Sequence, residues 1–289
     1  MTNVSIIGAG KLGTSLGYAL SKKGFRIKAL SCRTFSSVKE SRKIIGEGKA
    51  FTGNVQTARY GEMVVLSVPD DEIENIVDEL LSSDIEWSKK FVFHCSGLLS
   101  SEILKPLKVK GALTASIHPI QSFAKKKPAL KAFKGIYFGL EGSRQALALS
   151  QKIVRKLGGH YCILKAKDKP LYHTACSIAS NFFVILLDMA VSLFEQIGFE
   201  KELALQTLLP LVQGTLHNVK KFNIPSSLTG PVIRGDYKSI TKHFKALEDF
   251  PPYYEAYLKL TAQALEIIKK EKKLSPEKIK ALKILLEEK

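Results

Sequence analysis

The feature that most restricts the fold is a glycine-rich segment close to the start of the chain. The mostly apolar residues 4–7 precede it and predict a strand, and residues 13–23 follow it with apolar side chains on one face of a predicted helix. Between the two lie Gly8, Ala9, Gly10, Lys11, Leu12 and Gly13. A strand, a G-x-G-x-x-G turn and a helix in this order are typical of the first unit of a Rossmann dinucleotide-binding sheet.

Short apolar runs alternate with helical patterns as far as residue 165. They predict further strands over residues 26–30, 63–68, 91–94, 113–117, 136–140 and 161–164. Beyond residue 165 the patterns predict only helices, over residues 170–198, 201–219, 239–248 and 251–270 and from residue 275 onward. The sequence therefore predicts an α/β Rossmann domain with a mostly parallel, doubly wound sheet over residues 1–165, followed by an all-α domain over residues 166–289.

The net charge of +17 raises the question of a nucleic acid partner. The lysines are dispersed along the chain, whereas a nucleic-acid-binding protein needs a contiguous basic stripe. We therefore expect no nucleic acid partner, and a positive field also suits a phosphorylated cofactor and an anionic substrate. The start of the chain has no pattern of a secretory signal, and the four cysteines lack metal or disulfide spacing. We expect a cytoplasmic protein without a metal site.

Residues 178–194 are almost continuously apolar and resemble a membrane span in composition. Asn181 and Asp188 interrupt the segment near its middle, and a predicted α/β domain precedes it. A helix that is apolar on all sides is more often the centre of a helical domain or a subunit interface. We therefore expect a homodimer formed through the helical domain, and no membrane contact.

The end of the second predicted strand indicates which dinucleotide is bound. An NAD site places Asp or Glu there to bind the ribose 2′-hydroxyl, whereas this chain has Ser31, Arg33 and Thr34. The Arg33 guanidinium is suited to a 2′-phosphate, and the two hydroxyls can donate hydrogen bonds to it. We therefore predict NADP as the cofactor. The residues expected beside its ribose end the strand over residues 63–68, and they are Ser67, Val68 and Pro69.

Hydride transfer needs a group that gives or takes a proton and groups that hold the substrate. His118 follows a predicted strand, and His173 shares one face of a predicted helix with Ser177 and Asn181, so either histidine is a candidate acid/base. For His94, at the end of another strand, a structural hydrogen bond is the favoured interpretation. The predicted catalytic residues are His118, His173, Asn181 and Ser96, and the predicted substrate contacts are Ser122, Ser177 and Arg234.

Nearly the whole chain resembles a family of Rossmann-like oxidoreductases whose C-terminal helical part is a domain of unknown function. The segments that carry the resemblance are GAGKLG, SCR, SVPDDEI, HCSG, HPIQSF, YHTACSIASN and TGPVIRGD. More distantly, the chain is similar to ketopantoate reductases, pyrroline-5-carboxylate reductases and β-hydroxyacid dehydrogenases, and HPIQSF is similar to a His-Pro segment of prephenate dehydrogenases. The resemblance implies NADP binding through residues 8–13 and Arg33, a substrate cleft between the domains and a homodimer.

One departure from these relatives concerns the proton donor. Ketopantoate reductases and β-hydroxyacid dehydrogenases use a lysine followed one helical turn later by an asparagine. The comparable helix here has His173, Ser177 and Asn181, and Lys169 precedes His173 by one turn without being a clear substitute. The lysine mechanism therefore does not carry over, and a histidine is the expected acid/base.

These observations predict an NADP-dependent dehydrogenase or reductase. The expected reaction transfers a hydride between the nicotinamide and a small anionic 2-oxo or 2-hydroxy acid, or an imine. The alternative is a non-catalytic NADP-binding protein that senses redox state or binds a partner.

Overall fold

The computed structural model describes residues 1–127, 130–271 and 274–287. The chain forms two compact units, Met1–Phe182 and the residues from Phe183 onward. The first unit thus includes residues 166–182, which the sequence analysis assigned to the helical domain.

The first unit is built on one eight-stranded sheet with the order β3-β2-β1-β4-β5-β6-β7-β8. All neighbouring strands pair in parallel except β6 and β7, which are antiparallel. The strand order reverses between β1 and β4, and in such sheets ligands bind at that point, outside the carboxyl ends of the strands. The strands are β1 Asn3–Ile7, β2 Arg26–Ser31, β3 Lys49–Phe51, β4 Met63–Leu66, β5 Phe91–His94, β6 Leu113–Pro119, β7 Tyr137–Gly142 and β8 His160–Ile163.

Helices cover both faces of this sheet. They are α1 Lys11–Ser21, α2 Phe35–Ile45, α3 Asn54–Ala58, α4 Ile73–Leu81, α5 Lys105–Val109, α6 Arg144–Leu157 and α7 Lys169–Ser177. Alternate residues of β4 belong to different cores: Val65 packs with side chains of α1, α2 and α6, and Val64 packs with side chains of α3 and α4. Because a strand buried on both faces is mostly apolar, the short apolar runs mark these strands. The predicted doubly wound, mostly parallel sheet followed by an all-α region is confirmed.

Several local expectations need correction. The strand predicted over residues 63–68 ends at Leu66, because the chain turns there toward Pro69. The sequence patterns do not indicate α2, α6 or the three-residue strand β3. Both helices carry many charged residues on their outer faces, and these obscure the few apolar positions that face the sheet.

The second unit contains only helices among its described residues. They are α8 Phe183–Gln196, α9 Lys201–Phe222, α10 Ile224–Ser227, α11 Pro231–Arg234, α12 Tyr237–Ala246, α13 Pro251–Lys270 and α14 Pro276–Glu287. Its core includes Ile240 and Phe244 of α12 and Leu265 of α13. Asp236 caps α12 by accepting a hydrogen bond from the backbone N–H of Ser239, at 3.1 Å. The helix α9 runs through Pro210.

The helix predicted over residues 170–198 is not a single regular α-helix. The segment Ile178–Phe182 between α7 and α8 has π-helical hydrogen bonding, and Gly198 follows the helical run with a φ of 93°. Within the described part of the chain, the run Ala166–Gln196 is the helix that is long and apolar enough to cross a membrane, with a mean hydropathy of 1.8 and 6% of its most apolar window buried. Length and composition alone are weak evidence for a membrane span.

Candidate functional site

The glycine-rich turn is tightly packed against the end of β4 at two of its three glycines. Gly8 has a φ of 85°, and a Cβ there would lie 2.4 Å from Cγ1 of Val68. A Cβ on Gly13 would lie 2.3 Å from Oγ of Ser67 and 2.5 Å from the carbonyl oxygen of Gly8. These two positions need glycine so that the turn, α1 and β4 can pack together.

Gly10 differs from the other two glycines because its outer side is open. A Cβ there would meet nothing closer than the Gly8 carbonyl oxygen at 3.9 Å. Gly10 is also the N-cap of α1, which has no side-chain cap and no acidic residue in its first turn, where Lys11 and Leu12 lie. The free backbone N–H groups and the helix dipole at this end suit a phosphate.

The ends of β1 and β2 are joined through the backbone of this turn. Ser31 accepts hydrogen bonds at its carbonyl oxygen from the N–H groups of Gly8, at 3.0 Å, and Ala9, at 2.8 Å. The carbonyl oxygen of Ala9 in turn accepts hydrogen bonds from the hydroxyls of Thr14 and Ser41. The turn is therefore held rigidly before any ligand binds.

A cleft of about 360 Å³ opens beside the turn. Arg33 lies at its side with an exposed side chain, and the Thr34 hydroxyl caps α2 by accepting from the N–H of Ser37 at 3.3 Å. The Ser31 hydroxyl is buried and donates to Oδ1 of Asn54 at 3.2 Å. The lining residues are Gly8, Gly10, Cys32, Arg33, Thr34, Ser37, Thr52, Asn54, Ser67, Val68, Pro69, Glu72 and Ile76.

A second cation lies close to this cleft. The Lys126 ammonium donates to the Ser37 hydroxyl at 2.6 Å and to the Ser37 carbonyl oxygen at 3.1 Å, and it pairs with Glu40. Lys126 belongs to the loop after β6. This loop therefore reaches the cleft beside the glycine-rich turn and also carries Ser122, a residue of the second pocket described below.

His118 lies at the carboxyl end of β6, and its Nδ1 is 2.7 Å from the hydroxyl oxygen of Tyr172 on α7. Burial, followed by the positive charge of Lys169 and the neighbouring His173, lowers the pKa of His118 to about 4. Burial also raises the pKa of the Tyr172 phenol. At neutral pH the pair is thus a neutral imidazole and a neutral phenol, and Nε2 of His118 is left for a further partner.

The rings of His118 and His173, the two acid/base candidates predicted from the sequence, lie next to each other. The ring centroids of His118 and His173 are 5.9 Å apart, with an interplanar angle of 80°. Gly97 lies between them, because a Cβ at this position would be 2.5 Å from Cδ2 of His173 and 2.9 Å from Cε1 of His118. A glycine after β5 is therefore required for the approach of the two rings.

These rings form part of a second pocket, of about 590 Å³, within the first unit. It brings together His118, His173, Ser122, Ser177 and Asn181 from the predicted site. The π-helical segment carries Asn181 into the lining, and such segments often occur at functional sites. The other lining residues are Ile120, Gln121, Tyr172, Ala175, Cys176, Ala179 and Ser180.

Ser96 is buried below this pocket and does not line it. Its hydroxyl donates to Oδ2 of Asp70 at 2.7 Å and accepts from the N–H groups of Leu98 and Leu99. The side chain thus ties the loop after β5 to the loop after β4. Its predicted catalytic role stays a prediction.

His94 has both ring nitrogens engaged inside the protein. Nδ1 accepts a hydrogen bond from the N–H of Ser96 at 3.2 Å, so Nε2 carries the proton and donates to the Ser100 carbonyl oxygen at 3.1 Å. Burial, followed by the charge of Lys169, lowers the pKa of His94 to about 3. These contacts agree with the structural hydrogen bond expected for this residue.

Arg234 belongs to the second unit, where it is exposed near the end of α11. Its carbonyl oxygen accepts a hydrogen bond from the Lys278 ammonium at 2.9 Å. Its predicted contact with a substrate carboxylate stays a prediction. In residues 1–127, 130–271 and 274–287, no three His, Cys, Asp or Glu side chains are grouped so as to hold a metal ion.

Three residues near the two pockets were not predicted from the sequence: Tyr172, Lys126 and Asn54. Tyr172 directly precedes His173 in the segment YHTACSIASN, and its position there was the available signal. Asn54 follows a strand of only three residues, and Lys126 lies in a lysine run that looks like an ordinary surface loop. Only the folded chain brings these residues to the site.

Family models match two parts of the chain. A Rossmann-like domain matches residues 1–119, and a domain of unknown function, DUF2520, matches residues 136–264. A comparison of the sequence with curated proteins gives no match.

Solved structures extend this similarity over nearly the whole chain. A protein from Thermotoga maritima is 31% identical with a TM-score of 0.72, and the match covers 93% of this chain and 99% of that one. A candidate NADP oxidoreductase from Bacteroides fragilis is 23% identical with a TM-score of 0.77, with coverages of 91% and 97%. A pyrroline carboxylate reductase from Plasmodium falciparum with NADP bound is 14% identical with a TM-score of 0.60, with coverages of 93% and 100%.

Further matches include prephenate dehydrogenases, at 20% identity or less. At such identities the likeness concerns the fold, whereas the Thermotoga protein is a relative by sequence as well. The chain belongs to the family of proteins in which a Rossmann-like domain precedes the domain of unknown function DUF2520.

Proposed function

We propose that the protein is an NADP-dependent oxidoreductase that acts on a small anionic 2-oxo or 2-hydroxy acid, or on an imine. The observation that carries the proposal is the placement of the glycine-turn cleft and the His118 pocket at the carboxyl edge of the same sheet. The relatives with named activities among the solved structures are oxidoreductases of this fold, which supports the same class of reaction.

The cleft has the features that a phosphorylated dinucleotide needs. Gly10 leaves room for a pyrophosphate at the N-terminus of α1. The end of β2 has no Asp or Glu to bind the ribose 2′-hydroxyl and is followed by Arg33. Lys126 adds a second cation beside Ser37. A 2′-phosphate would gain charge-assisted hydrogen bonds from these groups, which supports NADP over NAD.

We assign the acid/base role to His118. NADP, when bound, supplies or accepts the hydride, and the protein must supply or accept the proton at the substrate oxygen or nitrogen. When Nδ1–H of His118 donates to the Tyr172 hydroxyl oxygen, Nε2 carries no proton and is the atom that exchanges the proton with the substrate. The neutral ring accepts a proton from an alcohol during oxidation and returns it during reduction. His173 then lies beside the reacting centre as a hydrogen-bonding group.

The second pocket suits a small polar anion. Its described lining contains hydroxyl and amide groups from Ser122, Ser177 and Asn181, and no Asp or Glu side chain is among the lining residues. The buried cation Lys169 lies below, and the chain as a whole carries a charge of +17. Neutral hydrogen-bond donors in a positive field can hold a carboxylate without a direct ion pair.

The cofactor part of the proposal is tested by fluorescence titration with NADPH and NADH. Wild-type protein should bind NADPH more tightly than NADH, and Arg33→Ala should weaken NADPH binding about tenfold or more, since a charge-assisted hydrogen bond contributes about 1.5–3 kcal/mol. NADH binding should change little. Arg26→Ala, at an exposed arginine outside the cleft, is the matched control. Equal binding of both nucleotides by wild type would contradict the assignment.

We also propose that the protein is a homodimer through the face formed by α8 and α9. This α8–α9 face exposes large apolar side chains, including Val184 at 62% and Leu211 at 69%. Exposed apolar patches of this kind mark interfaces. The polar Asp188 in the middle of α8 disfavours a lipid environment for the same face, since a charged group there is costly.

The dimer is tested by light scattering after size exclusion. Wild-type protein should have twice the mass of one chain, and Leu211→Glu should give monomers because it places a charge in the apolar interface. Val109→Glu, at an apolar residue of α5 that is 78% exposed, should leave the dimer intact. A wild-type monomer at all concentrations, or wild-type protein that partitions into lipid vesicles, would contradict the proposal.

A further inference from the structure

Lys169 is a fully buried lysine that lines neither the cleft nor the second pocket. Its ammonium donates to the carbonyl oxygen of Ser96 at 3.1 Å and to the hydroxyl of Ser116 at 2.6 Å. Ser96 lies in the loop after β5, and Ser116 lies in β6 two residues before His118. The ammonium therefore fastens the loop that carries Gly97 to the strand that carries His118.

The charge of Lys169 is kept inside the protein by its surroundings. Its hydrogen-bond acceptors are neutral oxygens, while the carboxylates of Glu141 and Asp70 attract it from β7 and from the turn after β4. Burial lowers the pKa of Lys169 to about 8, and both carboxylates counteract that effect. The side chain is thus still largely a cation at neutral pH.

One face of α7 carries the Lys169 ammonium and also the two side chains of this helix that contact His118. Lys169, Tyr172 and His173 are at positions i, i+3 and i+4, which share a face of a helix. Tyr172 contacts Nδ1 of His118, and His173 packs against the same ring across Gly97. The anchoring of Lys169 beneath the sheet edge thus fixes where this face of α7 meets His118.

We infer that Lys169 is a positioning residue for His118: it anchors the face of α7 that holds the imidazole, and its buried charge opposes a proton on that ring. The inference rests on the proposed acid/base role of His118. The groups that face the ring are Lys169, Tyr172 and His173 from α7, His94 from β5, and Glu141 from β7 near Lys169. Among these groups Lys169 is the lysine, and its charge lowers the pKa of His118, so its removal should make protonation of His118 easier.

The consequence for substrate binding is electrostatic. A neutral His118 above a buried cation forms a pocket that attracts an anion, and a bound carboxylate in turn favours a proton on the ring. Lys169 thereby makes the pocket selective for anions without touching the substrate.

Histidine NMR tests this inference without any need for turnover. The six histidines, labelled at Cε1, are followed against pH in wild type, Lys169→Met and Lys169→Arg, and the His118 signal is assigned by its loss in His118→Gln. Wild-type His118 should titrate near pH 4. Lys169→Met should raise that midpoint by about one unit or more, the usual size of a near-charge effect. Lys169→Arg keeps the charge and should leave the midpoint low.

Lys167→Met is the matched control, because it removes an exposed charge two residues away. It should leave the His118 midpoint unchanged, since solvent screens that charge. NADPH binding at the glycine cleft reports whether each variant is folded. If Lys169→Met gives no folded protein, the His118 midpoint measured in Lys169→Arg decides whether the inference holds.

A His118 midpoint in the ordinary histidine range for Lys169→Arg would overturn the inference. So would an unchanged midpoint in folded Lys169→Met, or an equal rise in Lys167→Met. Failure to oxidise NADPH with any substrate would instead contradict the proposed function, while the NMR result on the coupling between Lys169 and His118 would stand.

Discussion

Replacement of His118 by glutamine is expected to lower turnover by about 10²–10⁴-fold, the range that general acid/base catalysis contributes. Glutamine keeps a hydrogen-bonding group near Tyr172, but it cannot give or take a proton. The affinity for NADPH should stay close to that of the wild type, because His118 lies in the second pocket and not in the cleft. Steady-state rates and a separate nucleotide titration measure the two effects.

The pH dependence of the same reaction follows from the protonation state of the His118 imidazole. Neutral His118 is the form that accepts a proton, and the pKa of its ring is about 4. Oxidation of the substrate should therefore be lost as the pH falls through the pKa of His118, and a bound anion moves that pKa upward. This acid limb should be absent from the residual activity of His118→Gln.

Two further histidine variants make the assignment specific. His160→Gln changes an exposed histidine of β8 that packs on Tyr137, and it should leave turnover unchanged. His173→Gln should lower turnover less than His118→Gln does, because His173 assists without exchanging the proton. A near-normal rate for His118→Gln together with a large loss for His173→Gln would transfer the acid/base role to His173.

Substitution of Gly10 by valine is expected to weaken NADPH binding by about 10–100-fold while the protein stays folded. Gly10 has a negative φ of −76° and an open outer side, so there is room for the side chain in the free protein. The valine would then occupy the space that a pyrophosphate needs, and relief of such an overlap costs about 1–3 kcal/mol. Titration with NADPH and thermal unfolding should show lost binding and an unchanged melting temperature.

Gly13→Ala is the matched comparison and should show the opposite pattern. Its Cβ would lie 2.3 Å from Oγ of Ser67 and 2.5 Å from the Gly8 carbonyl oxygen, so the turn or β4 must shift. We expect a loss of about 1–3 kcal/mol of stability. Equal loss of melting temperature in Gly10→Val and Gly13→Ala would contradict the assignment of Gly10 to phosphate contact.

The glycine turn and the cleft beside it could be predicted from the sequence because their determinants are local. Gly8, Gly10 and Gly13 act within one strand, turn and helix, and the strand before them is mostly apolar because β1 is buried on both faces. Arg33 follows the neighbouring strand directly. Such features need no knowledge of distant parts of the chain.

The second pocket depends on contacts between distant segments, and here the sequence was less informative. The helical spacing placed His173, Ser177 and Asn181 on one face, but it did not show that Tyr172 on the same helix contacts His118, 54 residues earlier in the chain. The π-helical segment before α8 also changes the helical register in a way that apolar periodicity does not reveal.

Lys169 illustrates the same limit. By pattern it is an ordinary lysine at the start of a helix, next to Pro170. Its burial follows from the meeting of α7 with β5 and β6, where Ser96 and Ser116 supply its acceptors. Single-residue patterns favour a solvated lysine at such a position, so only the fold identifies it as part of the site.

The most direct test of the central claim is transfer of a labelled hydride. Wild-type protein is incubated with NADPH that carries deuterium at C4, in both stereochemical forms, and with a panel of 2-oxo acids and cyclic imines. We expect at least one substrate to be reduced, with deuterium from one form bound to the former carbonyl or imine carbon. If NADPH binds but no member of the panel takes up deuterium, the proposal of hydride transfer to this substrate class is contradicted, and a non-catalytic NADP-binding role takes its place.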